Sequence, residues 1–131
     1  MRLLMFHVRE FWYRLNQLDD DEGTRFGESL LVWIHSESAD EENRVGVLRK
    51  MVKNIRWLAS KTECTSVILH PFAHLDDDKA SPRFADELIG ETASRLRERE
   101  YEVHIVPFGH FTEFTVHVEG PSLGKVFKRF I

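Results

Sequence analysis

The segment HPFAHLDDDKASPRF, His70 to Phe84, sets two imidazoles around a Pro-Phe-Ala turn and follows them with three carboxylates. Such groups could ligate a metal, carry out acid–base chemistry, or close a tightly packed loop. A metal site could draw imidazoles from His7, His70, His74, His104, His110 and His117, and carboxylates from Asp76 to Asp78. Their spacing matches no zinc pattern. His70 and His74 are four apart, but Pro71 stands between them, so they do not share a helical turn as in a His-Glu-x-x-His site. Structural roles for histidines that alternate with apolar positions are commoner than metal ligation, and neither metal nor cofactor is expected.

Nucleophilic chemistry has no better support. There is no Gly-x-Ser-x-Gly elbow, no glycine-rich loop to hold phosphates, and Cys64 lacks a local partner signature. Paired carboxylates could exchange protons, yet an acidic run ahead of a helix is more often a solvated or helix-dipole feature. Phe11, Trp12, Tyr13, Trp33 and Trp57 could stack on a nucleobase, although aromatics mostly build cores.

These residues must be positioned by a chain of 131 residues, enough for one compact core, with no repeat or linker to divide it. We therefore expect one domain over residues 1–131. The longest early apolar run, Leu3 to Phe6, is too short for a signal-peptide core or a membrane span, and a single cysteine suits a reducing cytoplasm. A net charge of −4 excludes broad, sequence-blind gripping of a nucleic-acid backbone, though not contact with one small end of it. The acidic runs at Asp19 to Glu22 and Asp76 to Asp78, and the basic run at Lys125 to Phe130, read as solvated surface.

Along the chain, RLLMFHV (Arg2 to Val8) and EFWYRL (Glu10 to Leu15) read as two strands of an opening hairpin, and Asn16 to Gly27 as loop. SLLVWIHS (Ser29 to Ser36) is apolar enough for a central strand. Ser38 and Glu41 have capping-box spacing ahead of a helix over residues 40–60, with Leu48, Met51, Val52, Ile55, Leu58 and Ala59 on its apolar face. TSVILH (Thr65 to His70) is a short buried strand. Ser81 and Pro82 then start a helix whose inner face is Phe84, Leu88, Ile89, Thr92 and Leu96. A strand ends at Pro107, and another places Thr112, Phe114, Val116 and Val118 on one face. Leu123, Val126, Phe127 and Phe130 suggest a last helix, and the chain stops within it, as a piece of a longer protein would. The fold class is α/β, a mixed sheet with helices packed on it. The Pro-Phe turns at residues 71–72 and 107–108 both follow buried strands, and strand carboxyl ends are where such folds bind ligands.

PFAHL after a strand, KASPRFADEL after an acidic stretch, and a later PFG leading to an aromatic strand and GPSLGKVFKRF together resemble the N-terminal editing domain of archaeal threonyl-tRNA synthetases. The opening MRLLMFHVREFWY resembles that family's start. The resemblance spans nearly the whole chain. It implies a D-aminoacyl-tRNA deacylase-like fold, a homodimer, and hydrolysis of L-serine misattached to the 3′ end of tRNA(Thr), in cis or in trans with a synthetase catalytic domain. It also leaves two alternatives: a D-aminoacyl-tRNA deacylase, or a non-catalytic module that docks on the tRNA end or the synthetase.

By the same resemblance, His74 orients the water or substrate, the main chain of Ala73 helps hold the aminoacyl group, Phe108 and Gly109 face it from the second turn, and Ser36 lines the pocket near the terminal adenosine. Family members carry an aromatic and a lysine after the second turn and a glutamate in the last helix. Phe111, Thr112 and Lys125 stand there in this chain. Two charged groups are thus missing or reversed in sign, which favours a mechanism resting on main-chain donors and the 2′-hydroxyl of the terminal adenosine.

Overall fold

The computed structural model of the chain describes residues 1–16 and 22–131. Its elements are β1 (Arg2–Leu15), β2 (Thr24–Phe26), β3 (Ser29–His35), α1 (Arg44–Thr62), β4 (Ser66–Pro71), α2 (Pro82–Glu98), β5 (Glu102–Ile105), β6 (Thr112–Val118) and β7 (Lys125–Arg129). The sequence reading is corrected at both ends of this order. The two opening strands are one long strand, because Arg9 and Glu10 carry no turn chemistry; the pairing of β1 with β6 merely shifts register between Val8 and Glu10. The hairpin forms instead between β1 and the β2–β3 stretch, so part of the expected 16–27 loop pairs as strand, Phe11 with Phe26 and Tyr13 with Thr24. Asp19 to Asp21 lie outside the described residues.

The last apolar stripe is also a strand. Val126 and Phe130 turn toward the core, while Lys125, Phe127 and Arg129 face out, a period of two. A helical and an alternating reading fit the same few apolar residues. What decides is the free edge of β1, which β7 pairs from Arg2↔Arg129 to Phe6↔Lys125.

β1 is the hub of the sheet. One side pairs β2 and β3 antiparallel, and the other pairs β6 and β7. β3, β4 and β5 then run parallel to one another. Both helices lie on one face, where Leu3, Met5, Leu30, Val32, Val67 and Leu69 meet Leu48, Met51, Ile55 and Leu58 of α1 and Leu88, Ala93 and Leu96 of α2. On the other face the sheet curls so that Phe11, Tyr13 and Phe114 close over Leu31, Ile68 and Val106 in a second, aromatic core.

α1 is preceded by a 3-10 turn, Ser38–Glu42, and the capping box is made by Glu37 and Asp40 rather than by Ser38 and Glu41. Asp40 is buried because its second oxygen takes the Met1 ammonium at 2.8 Å. The helical faces of α1 and α2 match the expected ones, and Ser81 caps α2 by accepting from the Phe84 N–H.

Candidate functional site

Because β3, β4 and β5 are parallel, their carboxyl ends emerge on one side of the sheet. Ser36 follows β3, Phe72 to His74 follow β4, and Val106 to Thr112 lead from β5 into β6. These three segments and the first turns of α2 (Pro82, Ala85, Ile89) enclose a cavity of about 560 Å³. That volume is in the range of a small-molecule site. Ser36, Ala73, His74, Phe108, Gly109, Phe111 and Thr112 all line it. Lys125 does not: it lies exposed on β7, paired with Phe6, because the helix expected to carry it is a strand.

Each wall is held from behind. The Phe72 N–H donates to the Ile34 carbonyl at 2.9 Å, and the Ala80 N–H to the Ser36 carbonyl at 2.9 Å. The loop between them hangs on His35, which is fully buried. Its Nδ1 accepts from the Leu75 N–H at 3.3 Å and its Nε2 donates to the Asp78 carbonyl at 2.6 Å, which fixes the Nε2–H tautomer. The acidic run latches the same loop rather than simply facing solvent. Asp76 takes Arg2 at 2.6 Å, and Asp78 accepts from the Ser38 N–H and hydroxyl, bonds that lower its pKa. On the second wall, the Val106 N–H donates to Leu69 and the Asn16 N–H to Phe111. Gly109 has φ +83°, a left-handed conformation that disfavours a side chain.

Two kinds of group on the lining residues are left without a protein partner. The N–H groups of Ala73, His74, Phe108 and Gly109 have no hydrogen-bond acceptor among the described residues, and the buried Ser36 hydroxyl and His70 Nδ1 have no partner there either. Buried polar atoms are normally satisfied, so the Ser36 hydroxyl and His70 Nδ1 mark where a ligand's polar groups belong. His70 is 3% exposed. Its ring sits among Phe11, Trp33, Phe72 and Phe114 at centroid distances of 5.6 to 6.3 Å, and this burial pushes its pKa down to about 4. A neutral imidazole therefore faces the cavity at neutral pH. Its Nε2 is 3.5 Å from the Thr112 hydroxyl, at the outer limit of a hydrogen bond. Trp33 stacks on Phe72 at 4.0 Å, stiffening the first turn. At the rim, Phe111 is 75% exposed.

Sequence reasoning weighed His70 and His110 only as metal ligands and overlooked His35 and Lys79. His70 and His35 each end a buried strand, a recognisable signal. Lys79 and His110 sit in loops and carry no signal beyond their neighbours. Among the described residues, no three His, Cys, Asp or Glu side chains group as metal ligands would. No described helix is long and apolar enough to cross a membrane.

Comparison with known proteins bears directly on this geometry. The model of the archaea-specific editing domain of threonyl-tRNA synthetase matches residues 1–130. The chain belongs to this editing-domain family. Among its relatives, the threonine–tRNA ligase of Thermococcus kodakarensis is 33% identical over 96% of the chain, and that of Methanopyrus kandleri 32% over 96%. The Pyrococcus horikoshii ligase is 29% identical over 100% of the chain. The chain spans only 22%, 21% and 22% of these ligases. Two solved structures share the fold. The "c-Myc DNA Unwinding Element Binding Protein" has a TM-score of 0.75 at 11% identity, covering 100% of this chain and 99% of that one. A "probable eukaryotic D-amino acid tRNA deacylase" has a TM-score of 0.70 at 14% identity, with 97% of each chain covered. The domain therefore has the D-aminoacyl-tRNA deacylase-like fold that the family resemblance implied.

Proposed function

We propose that this domain, residues 1–131, hydrolyses L-seryl-tRNA(Thr) to serine and free tRNA and spares threonyl-tRNA(Thr), in the cytoplasm and beside a threonyl-tRNA synthetase catalytic domain in cis or in trans. The observation that carries this reading is the meeting of Ser36, Ala73–His74 and Phe108–Gly109 around one cavity in a chain of this family. A synthetic site for threonine rejects serine poorly, since one missing methyl is worth about 1–3 kcal/mol. A second, tighter site can reject threonine, because overfilling a packed wall costs about 1–3 kcal/mol.

Neither lining hydroxyl is held close to an activating base, since Ser36 Oγ has no partner and Thr112 Oγ1 stands 3.5 Å from His70 Nε2, so in this reading water attacks the ester carbonyl. As its oxygen bonds to carbon, the carbonyl oxygen gains charge and the free N–H groups of the two turns receive it. Loss of one such donor costs about a hundredfold to a thousandfold. The bond to the terminal ribose oxygen then breaks, and that oxygen takes up the proton the water gave up, leaving free serine and a ribose hydroxyl. The ribose 2′-hydroxyl, together with His74, orients the water. Thr112 and Lys125 are compatible with this route because no charged side chain takes part in it.

The test is substrate-level. Deoxygenating the 2′ position of the terminal adenosine, or replacing His74→Ala, slows serine release about a hundredfold or more; normal cleavage of the deoxy substrate would refute the substrate-assisted route. The shared fold favours one second reading, D-aminoacyl ester hydrolysis, which a D-aminoacyl-tRNA panel separates. Binding of tRNA without any turnover would instead make the domain a docking module. The open β6–β7 edge, with Phe127 and Ile131 exposed, supports homodimerisation; light scattering decides it.

A further inference from the structure

At the other end of the helical layer lies a second concavity that the editing site does not use. α1 carries Arg44, Arg49, Lys50, Lys53, Arg56 and Lys61 and no acidic residue, in a chain of net charge −4. Exposed helices usually interleave signs so that neighbours pair. Here Arg49, Lys53 and Arg56 face Arg95 and Arg99 of the α2 end across a groove of about 690 Å³, with Glu98 the one carboxylate among its lining residues. None of the five cations makes an ion pair among the described residues, whereas Arg44, outside the groove, pairs with Glu91. The Arg56 Nε is buried and has no acceptor. A buried guanidinium N–H without a partner is costly, and the four other cations that line the groove with it raise the local potential for an anion.

The arrangement also has a repeat. Arg49, Lys53 and Arg56 are spaced i, i+4, i+7, which sets their Cα positions about 6 and about 4.5 Å apart along one face of the helix and lines three cations up as a strand lines up its phosphates. Half-exposed Trp57 borders the row, with the Lys128 ammonium 5.0 Å from its ring. Five of the eight lining residues are cations against the single carboxylate of Glu98, a balance that fits a run of phosphates. We infer that the α1–α2 groove binds the phosphate backbone of RNA, and that its occupant is the acceptor stem of the tRNA whose end enters the crevice. This rests on the proposed function only for the identity of the RNA. Pro82 borders the crevice and Arg95 borders the groove, roughly 20 Å apart along α2. The groove therefore lies a few nucleotides from the ester, where duplex phosphates begin.

The experiment compares the native chain with the triple variant Arg49→Ala, Lys53→Ala, Arg99→Ala, all exposed positions, with Tm as the folding control. Binding is measured to deacylated tRNA(Thr) and to its terminal four-nucleotide oligonucleotide across a salt series. The triple variant should bind the tRNA about tenfold or more weakly, with a log–log salt slope shallower by about 2 to 3, while binding the oligonucleotide as the native chain does. An unchanged affinity and slope for tRNA would overturn the inference, as would equal losses for tRNA and oligonucleotide. Loss of association with the synthetase body at unchanged tRNA affinity would assign the groove to a protein and overturn it as well. Because deacylated RNA is the probe, failure to hydrolyse seryl esters would refute the proposed function while leaving this result intact.

Discussion

Acidification should destabilise this domain through one buried imidazole. His70 ionises near 6.5 in an unfolded chain and only near about 4 in the folded one, because its aromatic cage strips water from the cation. Between those values the unfolded chain binds more protons, so acid favours unfolding. The contribution of His70 is complete above pH 6.5 and is lost as the pH falls toward 4. A gap of that size is worth about 3 kcal/mol, a large share of a typical domain's stability. Urea unfolding at stepped pH, for the native chain and for His70→Gln, isolates it. The variant removes the titration while keeping similar volume, and the depressed His104 contributes equally to both proteins. The native chain should lose about 3 kcal/mol more than the variant between pH 7 and 4. Parallel stability curves would refute the claim that His70 is neutral and caged, as would an NMR titration of its imidazole near 6.5. Any limb of the hydrolysis rate near neutral pH should survive in His70→Gln.

Other perturbations probe the walls. His35→Ala removes both bonds that hang the 75–78 loop and should cost about 3 kcal/mol by denaturant melts, with loss of serine release. Gly109→Ala meets no neighbour but must adopt φ +83°, so it should cost about 1 kcal/mol or more in stability and shift the second turn's N–H groups, lowering kcat. Lys125→Ala, outside the crevice, should leave serine release within about twofold.

Much of this molecule was legible in its residues, for identifiable reasons. The helices declared themselves through apolar periodicity and the Ser81–Pro82 cap. The turns were marked by Pro71 and Pro107 after apolar runs. Where periods were ambiguous, the reading failed. Leu123, Val126, Phe127 and Phe130 fit a helix or a strand equally well, and only pairing with β1, distant in sequence, makes them a strand. β2 is only three residues long, with Phe26 its one apolar side chain, so it too depends on its partner. The capping box was misread by one residue because Asp40 is drawn inward by the Met1 ammonium, a contact 39 positions away. The site was legible as two turns. The unpartnered Ser36 hydroxyl and the cage of His70 were not, since burial depends on the curl of the sheet.

The central claim is a sieve, and one assay meets it directly: release of amino acid from L-seryl-tRNA(Thr) and from L-threonyl-tRNA(Thr) by the same preparation of the chain. Rapid loss of serine with threonine retained is the predicted result. Equal rates for the two esters, or no release of serine, would contradict it.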